Sequence, residues 1–373
     1  MLLIDSDMQW QEGFAALGEV WTYAAQAGPR DHPALGHAEA LVVRSVTPVD
    51  EGLLDAAPSL RVVASAAAGL DHIDRHACAS RGVEVLSAAG HNASAVADWV
   101  WWAMHRVASS REWTLDGRRL GIIGCGHAGE AVAGRAAAHG MEVVRCDPPR
   151  HAAGTLSSHV PLGELLRSDV VSLHVPLTSA AESAHPTADL LNAERLRGFE
   201  GIVLNASRGG VLCPHAVRET PLASFALDVF PNEPTPSLEL IQAATVATPH
   251  IAGSTRAAKR EASAVLVRGL AEALGKRAPD PPGLSESSAV LPCPSLDAGV
   301  QSAMMHVLDE GTGLSEVERR FRSVRLTADR FRELRRISWR RAMQDVRIDG
   351  QGDSGRWAPL AARLAAHGVD FRA

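Results

Sequence analysis

Short apolar runs bounded by polar and glycine-containing turns recur along most of the chain, with stretches of helical spacing between them. Leu2–Ile4, Ala40–Val43, Arg61–Ala64 and Val83–Leu86 read as strands in the N-terminal part. The alternation resumes with Leu120-Gly121-Ile122-Ile123, Met141–Cys146, Val170–His174, Ile202–Asn205, Ser224–Val229 and Thr245–Ala247. Helices are expected at Glu130–His139, Leu162–Arg167 and Leu190–Leu196. Near-continuous apolar strands alternating with helices predict parallel sheets covered on both faces. Between the two series lies a long helical stretch from Ala93 to about Ser109, carrying Trp99, Trp101 and Trp102. Indoles on several sides of one helix predict burial on several sides, as in a helix linking two domains. An aromatic box for a cofactor is the weaker reading of the same residues.

Near Pro279 the pattern stops. Pro279, Pro281 and Pro282 surround Asp280, Ser285–Ser288 follow, and the segment reads as a linker. The residues from about 290 to 373 then form a separate small unit. From Glu318 to Arg341 its arginines alternate with Phe321, Leu326, Phe331, Leu334, Ile337 and Trp339. A solvated helical face or an assembly surface accounts for them better than a nucleic-acid patch, because the formal net charge is −6. The chain has no apolar run long enough to span a bilayer and no leader-like N-terminus, so a cytoplasmic protein with no membrane partner is expected. Its five cysteines are scattered with no CxxC pair, which argues against a disulfide framework and against a metal site.

The chemistry concentrates after Leu120. Gly124-Cys125-Gly126-His127-Ala128-Gly129 joins an apolar strand to an alanine-rich helix, and the following strand ends at Asp147. This is the order a dinucleotide-binding unit requires. Gly124 serves the tight turn, Gly126 the close approach of a pyrophosphate, and Gly129 the packing of helix on strand. The helix N-terminus offers N–H groups and partial positive charge to the phosphates. A carboxylate at Asp147 would hold ribose hydroxyls and repel a 2′-phosphate, favouring NAD over NADP. Alone, such a run is only a glycine-rich turn; strand, helix and acid together make the cofactor reading the better one.

Arg208 stands in the turn after Ile202–Asn205, Glu233 in Phe230-Pro231-Asn232-Glu233-Pro234, and His250 in Thr248-Pro249-His250-Ile251. All three follow strands of one sheet, and ligands of such sheets sit beyond the carboxyl ends of the strands. A guanidinium fork binds a carboxylate and polarises the adjacent carbonyl. An imidazole takes a hydroxyl proton as hydride leaves carbon, and a carboxylate beside it fixes its tautomer and favours its charged form. Asp228 could accept from a nicotinamide carboxamide. Arg44-Ser45-Val46-Thr47 and Ser65-Ala66-Ala67-Ala68-Gly69 also end strands and are candidate site loops, although each taken alone reads as an ordinary turn.

Leu204-Asn205-Ala206-Ser207-Arg208-Gly209-Gly210, Leu227-Asp228-Val229-Phe230 with Glu233-Pro234, and Thr248-Pro249-His250-Ile251-Ala252-Gly253-Ser254-Thr255 resemble the signatures of the D-isomer-specific 2-hydroxyacid dehydrogenases. The resemblance implies an NAD-dependent enzyme whose catalytic set is Arg208, Glu233 and His250. It adds His174, Pro176, Thr178, Ala206, Ser207 and Gly253 to the cofactor contacts. It implies a doubly wound Rossmann cofactor domain at 93–252 and a flavodoxin-like α/β substrate domain made of 1–92 and 253–280. A small α+β dimerisation domain at 281–373 completes the expected fold. Val43-Arg44-Ser45-Val46-Thr47, Ala68–Asp74, Cys146-Asp147-Pro148-Pro149-Arg150 and Phe331–Arg336 are similar to the branch of this family that is homodimeric and acts on a small phosphorylated hydroxy acid. In that branch Ser45 and Ser65 would contact substrate. Ser254 stands where the branch has a substrate-contacting tyrosine, and Arg44 is the expected cation for the phosphate.

Overall fold

Strands of two to five residues are too short to bury anything alone, so each depends on neighbours paired in parallel register. In the computed structural model, which describes residues 1–221, 223–281, 289–337, 342–349 and 354–372, they assemble into three parallel sheets. The chain forms two compact units, Met1–Asn92 with Arg256–Ser285, and Ala93–Thr255 with Glu286–Ala373.

In the first unit the sheet order is Val20–Tyr23, Leu2–Asp5, Ala40–Val43, Val62–Ser65, Glu84–Ser87. This is a flavodoxin-like order. The helix Arg256–Ala273 returns to cover it, burying Ala262, Leu266, Val267 and Leu270 against Leu2, Ile4, Ala40 and Val62. Val20–Tyr23 was not expected as a strand. It lies at the sheet edge with Trp21 46% exposed and only Tyr23 fully inward, so it carries no apolar run to announce it.

The second unit holds a six-stranded sheet in the order Val246–Ala247, Ser224–Leu227, Ile202–Asn205, Val170–Leu173, Arg119–Ile123, Glu142–Cys146. The strand order reverses at Arg119–Ile123, whose neighbours Glu142–Cys146 and Val170–Leu173 lie on opposite sides. A doubly wound sheet of this kind binds ligands at that switch point. Trp99, Trp101 and Trp102 of the helix Ala93–Ser110 are completely buried, as their distribution around the helix demands. The C-terminal residues supply much of that cover: Met304, Leu308, Leu360 and Leu364 share a core with the three indoles. They also form a small sheet of Ala289–Pro292, Val346–Asp349 and Asp370–Arg372.

Phe321, Phe331 and Leu334, from the arginine-rich stretch, are buried in a second core with Phe230. Several of the intervening arginines form ion pairs along their own helices, Arg320 with Glu316 at 2.6 Å and Arg332 with Asp329 at 2.9 Å. Trp339 and Arg341 of that stretch, and Pro282 and Ser285–Ser288 of the expected linker, lie outside the described residues.

Two helices differ from expectation. The one expected at Glu130–His139 begins earlier and breaks, giving His127–Ala133 and a 3-10 turn at Ala136–His139. Past Gly134 the Arg135 N–H tightens onto the Val132 carbonyl (3.3 Å), and the Arg135 side chain turns to Asp98. Leu190–Leu196 is not helical. Asp189 sits at φ 49°, Leu191 bridges to Leu212, and the Asn192 side chain accepts from Arg195 N–H at 3.0 Å to close a turn. Among the described residues no helix is long and apolar enough to cross a membrane.

Candidate active site

The turn after Arg119–Ile123 has the geometry its glycines imply. Gly124 sits at φ +88°, and a Cβ there would press on the His174 carbonyl; one at Gly129 would collide with the Gly124 carbonyl. Gly126 differs, because a Cβ there meets nothing. The turn is therefore closed on its strand side and open on its outer side, where Gly126 and His127 are exposed and Ala128 half-buried. Asp147 ends the next strand and faces this turn: Cys125 N–H donates to Oδ2 at 2.8 Å and Arg150 N–H to Oδ1 at 3.1 Å. The loop after Val170–Leu173 is pinned by Thr187, whose hydroxyl accepts from Thr178 N–H at 2.8 Å and donates to the Pro176 carbonyl. His174 hydrogen-bonds Ser172 through Nε2 at 2.8 Å, and burial pushes its imidazole down to about 4.

The three catalytic candidates sit on loops that the structure ties to one another. His250 Nδ1 and Glu233 Oε2 are 2.6 Å apart, and Glu233 Oε1 accepts from Phe230 N–H at 2.9 Å. Burial pushes the Glu233 carboxyl up, but the His250 hydrogen bond and charge, the Phe230 N–H and the Arg335 charge outweigh it and leave the group below its ordinary value. The His250 side chain keeps 32% exposure against 18% for Glu233. Arg208 is half-buried and donates from Nη1 to the Ser207 carbonyl at 2.8 Å.

Asn205 shapes the turn that carries Arg208. Its amide donates to the Arg208 carbonyl at 2.9 Å, and its Oδ1 accepts from the Ser207 N–H and hydroxyl at 3.1 and 2.9 Å. The next residue, Gly209, lies so close to the Glu233 loop that a Cβ would overlap the Phe230 carbonyl and the Pro231 nitrogen. Gly209→Ala should therefore push the Arg208 turn off the Glu233 loop. Overpacking of this kind costs about 1–3 kcal/mol, and displacement of a reacting group by an ångström costs up to about 10²-fold in rate. The expected result is a folded protein with kcat/KM down by about 10–100-fold. Unchanged kcat/KM would show that the contact does not set the site's geometry.

Asp228, the expected carboxamide acceptor, braces the His250 loop. It is 1% exposed, and both its carboxylate oxygens are engaged by the loop that carries His250. Oδ1 accepts from the Thr248 hydroxyl (2.6 Å) and Ile251 N–H (2.8 Å), and Oδ2 from Ala252 N–H (2.8 Å). Gly253 and Ser254 continue that loop half-buried, Ser254 N–H donating to the Ile251 carbonyl at 2.8 Å. In the other unit, Ser45 is exposed and Ser65 is buried, its Oγ 3.0 Å from His72 Nε2 and accepting from Ala67 N–H at 3.2 Å. Arg44 is committed within its own unit, with Nε 2.9 Å from the buried Asp5 and Nη2 2.7 Å from Asp7.

Residues 86–252 match the family described as D-isomer specific 2-hydroxyacid dehydrogenase, NAD binding domain. Over 366 residues, 94% of this chain and 95% of the relative, the sequence is 34% identical to a protein named erythronate-4-phosphate dehydrogenase from Aeromonas hydrophila. The chain belongs to the D-isomer-specific 2-hydroxyacid dehydrogenase family. A relative of the same name from Salinibacter ruber is 43% identical over 251 residues, 65% of this chain and 64% of that protein. Among solved structures the chain is similar to D-lactate dehydrogenase from Aquifex aeolicus complexed with NAD and lactic acid. That likeness has a TM-score of 0.60 at 25% identity and covers 74% of this chain and 96% of the other.

This 2-hydroxyacid dehydrogenase is accordingly an NAD-dependent enzyme, and its glycine turn fits the cofactor. The open side of Gly126 leaves room for a pyrophosphate that a side chain would fill, and Asp147 stands at the end of the adjacent strand. Sequence reasoning missed the residues that brace the dehydrogenase's site loops: Asn205, Thr187 and Thr248. Asn205 and Thr248 lie inside the quoted motifs, but only coordinates reveal which backbone groups they hold.

Proposed function

We propose that the chain oxidises 4-phospho-D-erythronate at C2 to the 2-oxo acid with NAD, as a step in the synthesis of pyridoxal 5′-phosphate. The reading rests on the 2.6 Å His250–Glu233 pair, set beside the Arg208 turn on the sheet that carries the NAD motif. Similarity over 94% of the chain to a protein named for that substrate supports the choice of acid. Glu233, held below its ordinary pKa, stays ionised and keeps the proton of His250 on Nδ1. That leaves the Nε2 lone pair to take the C2 hydroxyl proton as general base. Arg208 binds the substrate carboxylate through its guanidinium fork. NAD, when bound, accepts the hydride; Gly124, Gly126, His127, Ala128, Gly129, Asp147, His174, Pro176, Thr178, Ala206, Ser207, Asp228 and Gly253 are its proposed contacts. Asp147 favours NAD over NADP by repelling a 2′-phosphate.

Arg44, Ser45, Ser65 and Ser254 are the proposed substrate contacts. Because Asp5 and Asp7 already offset the charge of Arg44, a second cation is required for the phosphate. A C-terminal arginine of a second copy supplies it in the homodimer we propose, a cytoplasmic enzyme acting on this small phosphorylated acid. The test is a panel under NAD: 4-phospho-D-erythronate, D-erythronate and 3-phosphoglycerate, with hydroxypyruvate and glyoxylate under NADH. A site built for the phosphate should favour 4-phospho-D-erythronate over D-erythronate by about 10²-fold or more in kcat/KM. Equal rates with and without the phosphate would return the chain to a broader 2-hydroxyacid dehydrogenase. No turnover with any acid would leave an NAD-sensing scaffold.

A further inference from the structure

The loop carrying His250 is held in a conformation uncommon for any residue but glycine. His250 lies at φ +56°, in the left-handed region, where a side chain costs on the order of 1–3 kcal/mol unless the surroundings fix it. Those surroundings trace back to the buried helix Ala93–Ser110. Trp99 Nε1–H donates to Thr248 Oγ1 at 2.8 Å, and the Thr248 hydroxyl lies 2.6 Å from Asp228 Oδ1. An indole N–H can only donate, so Thr248 Oγ1 must accept from it and turn its one proton toward Asp228. Asp228 then gathers Ile251 N–H and Ala252 N–H on its carboxylate, while its carbonyl accepts His250 N–H at 2.7 Å. Trp99 is completely buried, as is Thr248, so no water competes for these groups.

We propose that Trp99 and Thr248 are positioning residues for the reaction: the indole orients the Thr248 hydroxyl onto Asp228, and this fixes the loop that presents His250 to Glu233. The proposal rests on the reading of His250 as the base. It assigns a function to one indole of a helix whose tryptophans otherwise serve as packing. Trp101 and Trp102 do not share it, since Trp101 Nε1–H donates to the Val132 carbonyl at 3.2 Å and Trp102 Nε1 has no hydrogen-bond partner among the described residues.

The experiment compares Thr248→Val, Thr248→Ser and Trp99→Phe with the parent enzyme, reading kcat, KM for NAD and for the hydroxy acid, the pH profile of kcat and the unfolding midpoint. Thr248→Val keeps the volume and loses the hydroxyl, so kcat should fall about 10–100-fold with KM for NAD within about twofold. The acid limb of the kcat profile should move, because that limb reports the base in the complex. Thr248→Ser restores the hydroxyl and should recover both. Trp99→Phe should move kcat and the limb in the same direction by less, and decides the matter if Thr248→Val does not fold. A residue with only a packing role would lower the unfolding midpoint and leave the limb in place; that result overturns the proposal. His250→Ala, run beside them, separates the two readings. If it turns over normally, the catalytic assignment fails. If it is inactive while Thr248→Val and Trp99→Phe keep the parent's kcat and profile, only the positioning assignment fails.

Discussion

His250→Ala lowers kcat by about 10²–10⁴-fold while the affinity for NAD stays within a few-fold of the parent. The magnitude is that of a general base lost from a proton transfer. The selectivity follows from where the residue sits. His250 is on the loop beyond Val246–Ala247, with its imidazole against Glu233, whereas the glycine turn Gly124–Gly129 lies beyond Arg119–Ile123 on another strand of the sheet. Removing the imidazole deletes the proton acceptor without altering Gly124–Gly129 or Asp147. Steady-state turnover with the hydroxy acid, together with fluorescence titration of NAD, measures the two effects separately. Turnover near that of the parent would remove His250 from the mechanism. A large loss of NAD affinity would mean instead that the substitution had disturbed the cofactor turn.

Much of this arrangement could be read from the residues before any coordinates. The strands carrying Gly124, Arg208 and His250 are continuous apolar runs buried on both faces, and such runs announce themselves. The Val20–Tyr23 edge strand does not, because its two central residues are exposed and only Tyr23 is buried. The glycine positions were legible for a related reason, since a tight turn or a close backbone approach leaves no alternative to glycine. The same logic extends to Gly209, whose closeness to the Phe230 carbonyl is invisible without the fold. Roles that depend on a partner far along the chain were not legible. The hydrogen bonds by which Asp228 anchors the His250 loop, from Thr248, Ile251 and Ala252, are one such role. Nor does anything local to Arg44, the expected cation for the phosphate, reveal that Asp5 at the end of the neighbouring strand is buried against it.

Asp98→Ala is expected to cost about 3–5 kcal/mol of stability, the largest loss predicted for any single substitution, because it strands a buried cation. Asp98 is inaccessible to solvent and accepts from Arg135 at 2.7 Å and from Met343 N–H at 3.2 Å. Arg135 Nη1 also lies 2.9 Å from His367 Nδ1, which is itself 3.3 Å from Asp98 Oδ1. His367 Nε2 lies 3.1 Å from His139 Nε2, and His139 Nδ1 3.2 Å from His105 Nε2, with Trp101 stacked on His139 at 4.0 Å. Burial pushes His105 down to about 3 and lowers His139, reinforced for both by neighbouring imidazoles and Arg363; burial also lowers His367, outweighing the hydrogen bond and charge of Asp98 that pull it the other way. Their folded values thus lie below the unfolded value of about 6.5. The unfolded chain takes up more protons below that pH, so stability is full above about 6.5 and falls as the pH drops. The slope approaches about 1.4 kcal/mol per pH unit for each imidazole. Urea unfolding of parent and variant between pH 5 and 7.5 checks both effects, and a flat parent profile, or an Asp98→Ala loss under about 1 kcal/mol, would contradict them. Replacing the pair together, Asp98→Leu with Arg135→Met, should cost less than Asp98→Ala alone, because no charge is then left buried without its partner.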